Sequence, residues 1–412
     1  VKEYSKICAL LSEKKEMTAK WYKELVDRYT ANDIVVPLYY SIDFRESCYK
    51  STVVDCNMFP AGFMHVRYNE EIVQAFQKYI SEYTDKFRKS ISAIYLIPEN
   101  FTRNSFYIRN VVRLSKILRE VALRLKVEFS LLLDTDNELL FIELQDAIMN
   151  FRQLPILQYN TTINDDALII LNKDLTNGMS SILSSAKSVL PNPLYGWYRR
   201  SKYNFFQKYE ALAVEVSKIL NCDSWFFCSL ISYVSMSGDS WKSESESLAL
   251  AVDSLIKRIS EKYALYGIKD APKVFVKSDN GTFGRANIAV FSGDDIRKLN
   301  KKNREELYKS GIENNFVIQE CVYSTLCNEN EKLFLSSLMS ENASCERMLY
   351  TIGGQHHATL LRTNTKKGSG ENLNTPGMSI ANIDHIPYSN PLEGLIVQLT
   401  TLATMEELSC IC

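Results

Sequence analysis

KVFVKSDNGTFGRANIAV, Lys273 to Val290, is the stretch on which the fold turns. An apolar run ends in Lys277, a small polar loop follows, and a second apolar run leaves it, so two strands flank a loop. Gly281 and Gly284, with Ser278 and Thr282 beside them, let the backbone approach a phosphate closely and turn N–H groups to its oxygens. Lys277 would set a point charge over the same phosphates. Taken alone, the pattern equally describes a β-hairpin carrying a solvated lysine. No Lys-Ser or Lys-Thr follows the second glycine, so this is not a Walker A loop, and the HRD and DFG triplets of protein kinases are absent.

Working outward, FVIQECV (Phe316 to Val322) is an apolar strand with Gln319 and Glu320 near its end. Such a strand offers backbone groups to an adenine edge and a carboxylate to a ribose, although an edge strand with solvated ends fits as well. ENLNTPGM (Glu371 to Met378) gathers a carboxylate and two amides before a Pro-Gly turn. Those oxygen donors suit magnesium held together with phosphates; the plain alternative is a polar Asx-type turn. The remaining chain alternates helical periodicity with short apolar runs, which predicts an α/β architecture containing parallel strands. Strands are expected at 34–42, Ala93 to Ile97, Val127 to Leu133, Leu139 to Glu143 and Ala167 to Leu171. The stretch from the first strand through Gly62 reads as a long loop. Gly353-Gly354 predicts a hairpin between Arg347–Ile352 and His357–Arg362. The polar stretch Gly238 to Glu246 places a domain boundary, dividing an N-terminal α/β region, 1–240, from a region 241–412.

Composition narrows the function classes. The 412 residues are enough for two or three domains, with 46% hydrophobic and 24% charged residues. A net charge of -1 argues against nucleic acid or a membrane surface as partner. No apolar run approaches the ~20 residues of a membrane helix. Ile7 to Leu11 is too short for a secretory signal. The ten cysteines form no CxxC pair and no Cys/His ligand spacing, a usage that fits reduced thiols and a cytoplasmic location.

Phosphate hairpin, hinge strand and metal loop, in that order, resemble the ATP-grasp arrangement, and NLNTPGM resembles the metal loop of D-alanine–D-alanine ligases. The whole chain resembles the glutamate–cysteine ligases found in some proteobacteria. The matching blocks are SIDFRESCYKSTVVDCNMFPAGF (Ser41 to Phe63), PENFTRN (Pro98 to Asn104), ILNKDLTNG (Ile170 to Gly178) and LPNPLYGWYRRSKYNFF (Leu190 to Phe206). KYALYGI (Lys262 to Ile268), VKSDNGTFG, VIQECV and ENLNTPGM complete them, in order over most of the length.

The resemblance implies an ATP-grasp fold with a large N-terminal α/β substrate-binding region. It implies ATP, magnesium, glutamate and cysteine as small-molecule partners. Lys277 and the loop with Ser278, Gly281, Thr282 and Gly284 would hold the ATP phosphates, with Gln319, Glu320 and Val322 lining the nucleotide hinge. Glu346, Glu371, Asn372 and Asn374 would surround magnesium, and Arg362 would stabilise the transferring phosphoryl group. Asp43, Arg45, Lys50, Asp55 and Asn57 offer both charge signs for a zwitterion. Arg103 with Asn104, and Arg199, Arg200 and Lys202, suit carboxylates or phosphates. Each has a bland counterpart, such as an Asp43–Arg45 surface pair or solvated arginines. Phe101 stands where the family pattern leads us to expect histidine, Arg285-Ala286 where a further glycine is usual, and the metal loop has one carboxylate only. Another ATP-grasp ligase, or a non-catalytic nucleotide- or amino-acid-binding relative, are the rival readings.

Overall fold

The computed structural model describes residues 2–149, 154–236, 241–280, 287–309, 314–324, 344–385, 390 and 392–410. Two helices, Lys2–Glu13 and Lys15–Ala31, come first. Then β1 (Tyr39–Glu46) and β2 (Ser51–Asn57) form an antiparallel hairpin. The first strand therefore begins later than expected, and the segment expected as a loop is mostly strand. Most of its polar residues are buried rather than solvated: Ser51, for example, is bonded to Tyr4 Oη at 2.6 Å and to Asn390 Nδ2 at 2.9 Å.

The next five strands make a parallel sheet: β3 (Ala93–Pro98), β4 (Glu128–Leu132), β5 (Ile156–Leu157), β6 (Ala167–Asn172) and β7 (Val189–Leu190), in the order β5-β4-β3-β6-β7. AIYLIP and ALIILN are buried throughout, as central parallel strands covered on both faces must be. Helix Ser105–Leu125 starts on Asn104, whose side chain accepts the Tyr107 N–H, and ends on left-handed Lys126. Its Val111, Leu114, Leu118 and Val121 lie in the same core as Leu96, Leu131 and Ile170. LLFIE, expected as a strand, instead lies in the helix Glu138–Met149. A short apolar run carries no period that separates the two states.

A four-stranded antiparallel sheet follows, ordered β10-β9-β11-β8, from β8 (Ile231–Met236), β9 (Val274–Ser278), β10 (Asn287–Val290) and β11 (Asn314–Glu320). The final strands are β12 (Ser344–Ile352), β13 (Gln355–Asn364) and β14 (Met378–Asn382). Gly353 and Gly354, at φ 56° and 72°, make the expected tight turn between β12 and β13. These strands do not stand alone. β12 pairs antiparallel with β1, giving one sheet ordered β14-β13-β12-β1-β2. Two of the three sheets therefore draw strands from both sides of residue 240. Helix Glu393–Ser409 is apolar around most of its girth and buried against helix Lys202–Leu220. Among the described residues no helix is long and apolar enough to cross a membrane.

Candidate functional site

β9 carries Lys277 one residue from its end, across from Asn287 of β10 and Val317 of β11. The ammonium turns inward, donating to Val54 O at 2.8 Å and to Gln319 Oε1 at 2.6 Å. Burial pushes its pKa down to about 8; Asp55 pulls it back up, while Lys202 and Arg45 add repulsion. Ser278 is buried at the strand end. Gly281, Thr282 and Gly284 lie outside the described residues.

Alternation along β11 separates Gln319 from Glu320. Gln319 faces Lys277, whereas Glu320 accepts from Lys50 Nζ at 2.6 Å, Trp225 Nε1 at 3.0 Å and Leu230 N at 2.9 Å. Lys50 and Glu320 are wholly buried, and Lys50 lies 4.2 Å from the Trp225 ring centre. That environment makes them a pair tying the β1–β2 hairpin to the β8–β11 sheet, and neither residue lines the hollows around Asp43 and Arg362. Arg200 is similar. It is buried, donates to Glu407 Oε2 at 3.0 Å and to Cys56 O at 2.6 Å, and anchors the C-terminal helix to β2.

Arg362 on β13 sits directly across from Glu346 on β12 and bonds to it, and its Nη1 also lies 2.8 Å from Asp43 Oδ2. Glu346 is shared with Arg45, whose Nε is 2.8 Å away. The remaining Arg45 donors reach Glu371 O at 2.6 Å and, at 3.4 Å, Val322 O and Ser369 O. Burial works against ionised Glu346, but the two guanidinium groups prevail and hold its pKa down. For Asp43 burial prevails over Arg362, and with repulsion from Glu346 and Asp55 raises it to about 6. Asp55 pairs with Lys202 Nζ at 3.1 Å; against the effect of burial, Lys202 and Lys277 hold it down to about 2.

Two adjoining hollows surround these groups. The smaller is lined by Lys277, Phe275, Asn287, Arg45, Glu346 and Asn372, among others. The larger, with about 1050 Å³ of open space, lies between the β14–β2 sheet and the loops that follow β3 and β6. Asp43, Asp55, Arg362 and Asn374 line both. Asn57 lines the larger one and accepts the Phe59 N–H at 2.9 Å. Its floor is the Phe59-Pro60-Ala61-Gly62 turn, where a Cβ on Gly62 would meet Tyr350 Oη at 2.2 Å. Phe101 also lines it, packed edge-on to Tyr107 at 5.2 Å.

The structure does not bring every expected residue here. Arg199 and Arg103 are exposed, with the Arg103 N–H held by the Glu143 carboxylate at 2.9 Å, and Asn104 serves as a helix cap. Glu371 turns its carboxylate to Gly368 N at 2.7 Å and lines neither hollow. The sequence reading missed Glu99, Asp174, Trp197 and Tyr350, all of which line the larger hollow. Glu99 and Asp174 carried a usable signal, since they stand just past two apolar runs readable as parallel strands.

Known proteins match this chain in family and in fold. The family model described as glutamate-cysteine ligase matches residues 9–390. A crystal structure from Methylobacillus flagellatus KT, of a "Putative gamma-glutamylcysteine synthetase", is similar with a TM-score of 0.79 and 25% identity. The match covers 99% of this chain and 96% of that one. No curated protein matches. With the family model covering nearly its whole length, the chain belongs to the glutamate–cysteine ligase family and is a ligase.

Proposed function

We propose that this ligase joins the γ-carboxylate of L-glutamate to the amine of L-cysteine, converting ATP to ADP and phosphate and giving γ-glutamylcysteine for glutathione biosynthesis. The observation that carries the reading is the meeting of the two hollows at Asp43, Asp55, Arg362 and Asn374. A phosphoryl donor beside Lys277 and a carboxylate in the larger hollow would face each other there. In this reading an ATP-grasp arrangement in 241–412 holds the nucleotide, and 1–240 supplies most of the amino-acid site, in a cytoplasmic enzyme.

A carboxylate is a poor acyl donor because oxide must leave. An oxygen of the γ-carboxylate therefore attacks the γ-phosphorus of ATP, forming an acyl phosphate and releasing ADP. The cysteine amine then attacks the acyl carbon, the C–N bond forms, the C–O bond to phosphate breaks, and the amine's proton passes to solvent. Lys277 and Arg362 would balance charge on the transferring group, and positioning supplies much of the rest. Asn372, Asn374 and Glu346 offer oxygens to magnesium arriving with the nucleotide, which would add charge neutralisation. Each Glu346 oxygen already accepts from one arginine, so a metal would take its second lone pair. Glu371, turned to Gly368 N, would need to rotate to join them.

The test supplies purified protein with ATP, glutamate and a panel of amines, measuring ADP. Release that depends on cysteine together with glutamate is expected. Equal or faster release with another amine would assign a different ligase.

A further inference from the structure

The parallel sheet changes direction between β3 and β6. From β3 the chain winds outward through β4 and β5, and from β6 it winds the other way to β7. Ligands of α/β sheets bind in the crevice beyond the carboxyl ends of the two strands at such a switch point. Glu99 is the first residue after β3, Asp174 the second after β6, and both line the larger hollow.

Their hydrogen bonds orient them without neutralising them. Glu99 Oε1 accepts the Asp174 N–H at 2.5 Å, and Asp174 Oδ1 accepts from Thr176 N at 3.0 Å and Thr176 Oγ1 at 2.8 Å. The nearest lysine in sequence, Lys173, is drawn off by Asp134 at 2.8 Å. Among the described residues no cationic side chain forms an ion pair with Glu99 or Asp174, although the two crowd each other in a half-buried place. Burial, then repulsion from Asp174, raises Glu99 to about 7. Near neutrality Glu99 therefore holds part of a proton, and a ligand ammonium set against the pair would displace it and supply the missing positive charge. On the opposite wall Arg362, 8% exposed, has its Nε buried without a hydrogen-bond partner, a donor that an anionic ligand group would satisfy.

We propose that Glu99 and Asp174 form the subsite for the α-ammonium of the amino acid whose side-chain carboxylate is activated, so that the enzyme distinguishes glutamate from a plain dicarboxylate. This rests on the reading of the larger hollow as the amino-acid site. The choice between the two amino acids follows from chemistry and position. The acceptor amine must lose its proton to attack, so a site that stabilises an ammonium opposes the reaction there. Glutamate's α-ammonium stays charged throughout and lies several bonds from the reacting γ-carboxylate. Glu99 and Asp174 correspondingly line the larger hollow but not the one around Lys277, whereas Arg362 and Asp43 line both.

The experiment compares wild type, Glu99→Gln and Asp174→Asn on L-glutamate and on glutarate, which keeps both carboxylates and lacks the ammonium. The KM for glutamate, the KM for cysteine and the inhibition constant of glutarate against glutamate are measured, with thermal midpoints alongside. Each variant should raise the glutamate KM by roughly 10- to 100-fold while the cysteine KM and the glutarate constant stay within about twofold. A rise in the cysteine KM alone, or equal losses for glutamate and glutarate, overturns the proposal. Should one variant fail to fold, the other carries the same comparison. If glutarate binds too weakly to measure, the glutamate KM against the cysteine KM decides. Wild type that releases no ADP with glutamate and cysteine overturns the ligase reading and this inference together. Normal wild-type turnover with unchanged discrimination in both variants overturns the inference alone.

Discussion

Lys277 carries its charge where burial disfavours charge, and the nucleotide's phosphates would reverse that penalty. Its pKa of about 8 means the free protein begins to lose this proton near pH 8, while bound phosphate favours the protonated form. Binding then takes up a proton, so apparent affinity for ATP should fall above about pH 8 by up to roughly tenfold per unit. Lys277→Arg, charged throughout, should flatten the profile, and Lys277→Ala should cut ADP formation by ~100-fold or more. A flat wild-type KM for ATP across that range would separate Lys277 from the phosphates. Arg45 was expected on a substrate carboxylate, but its donors reach Glu346 and three carbonyls. Arg45→Lys loses the fork and should destabilise by ~1–3 kcal/mol, visible in the thermal midpoint, with amino-acid KM values unchanged. A selective rise in one of those KM values would return Arg45 to the substrate. Residue types on a strand are legible in sequence; which lysine meets Gln319 and which meets Glu320 is not, because that depends on the face each presents and on what packs there.

The β1–β2 hairpin is the element whose reading changed most. SIDFRESCYKSTVVD looks like a loop because charges interrupt its apolar residues, yet those charges are paired in the interior. Lys50 fastens the hairpin to β11, Arg200 reaches the Cys56 carbonyl, and Lys277 and Gln319 bond the carbonyls of Val54 and Val53. Lys50→Met leaves Glu320 buried with an unpaired charge, a loss of ~3–5 kcal/mol. Adding Glu320→Gln should recover most of it, since the amide removes the stranded charge and still offers an acceptor to Trp225 Nε1 and Leu230 N. Differential scanning calorimetry of the single and double variants checks this, and a destabilisation that simply doubles would reject the pairing. The helices Glu70–Lys86 and Ser105–Leu125 were legible because their length shows a period and asparagines cap them. Glu138–Met149 was not, since its apolar run is too short to choose between states.

At the scale of the molecule, the alternation of helices and apolar strands announced the α/β class and the parallel sheet. What it could not announce was the pairing of β1 with β12, because an antiparallel partner is chosen by shape and register rather than by neighbouring sequence. That pairing sets Asp43 beside Arg362, at the boundary that the two hollows share. In the proposed reaction glutamate's γ-carboxylate is phosphorylated where the two hollows adjoin, before the amine attacks. This order is tested most directly by following oxygen. Glutamate carrying heavy oxygen in its γ-carboxylate is turned over with ATP and cysteine, and the products are weighed by mass spectrometry. The account predicts ADP together with phosphate that carries one heavy oxygen from the carboxylate. Unlabelled phosphate, or AMP in place of ADP, would contradict it.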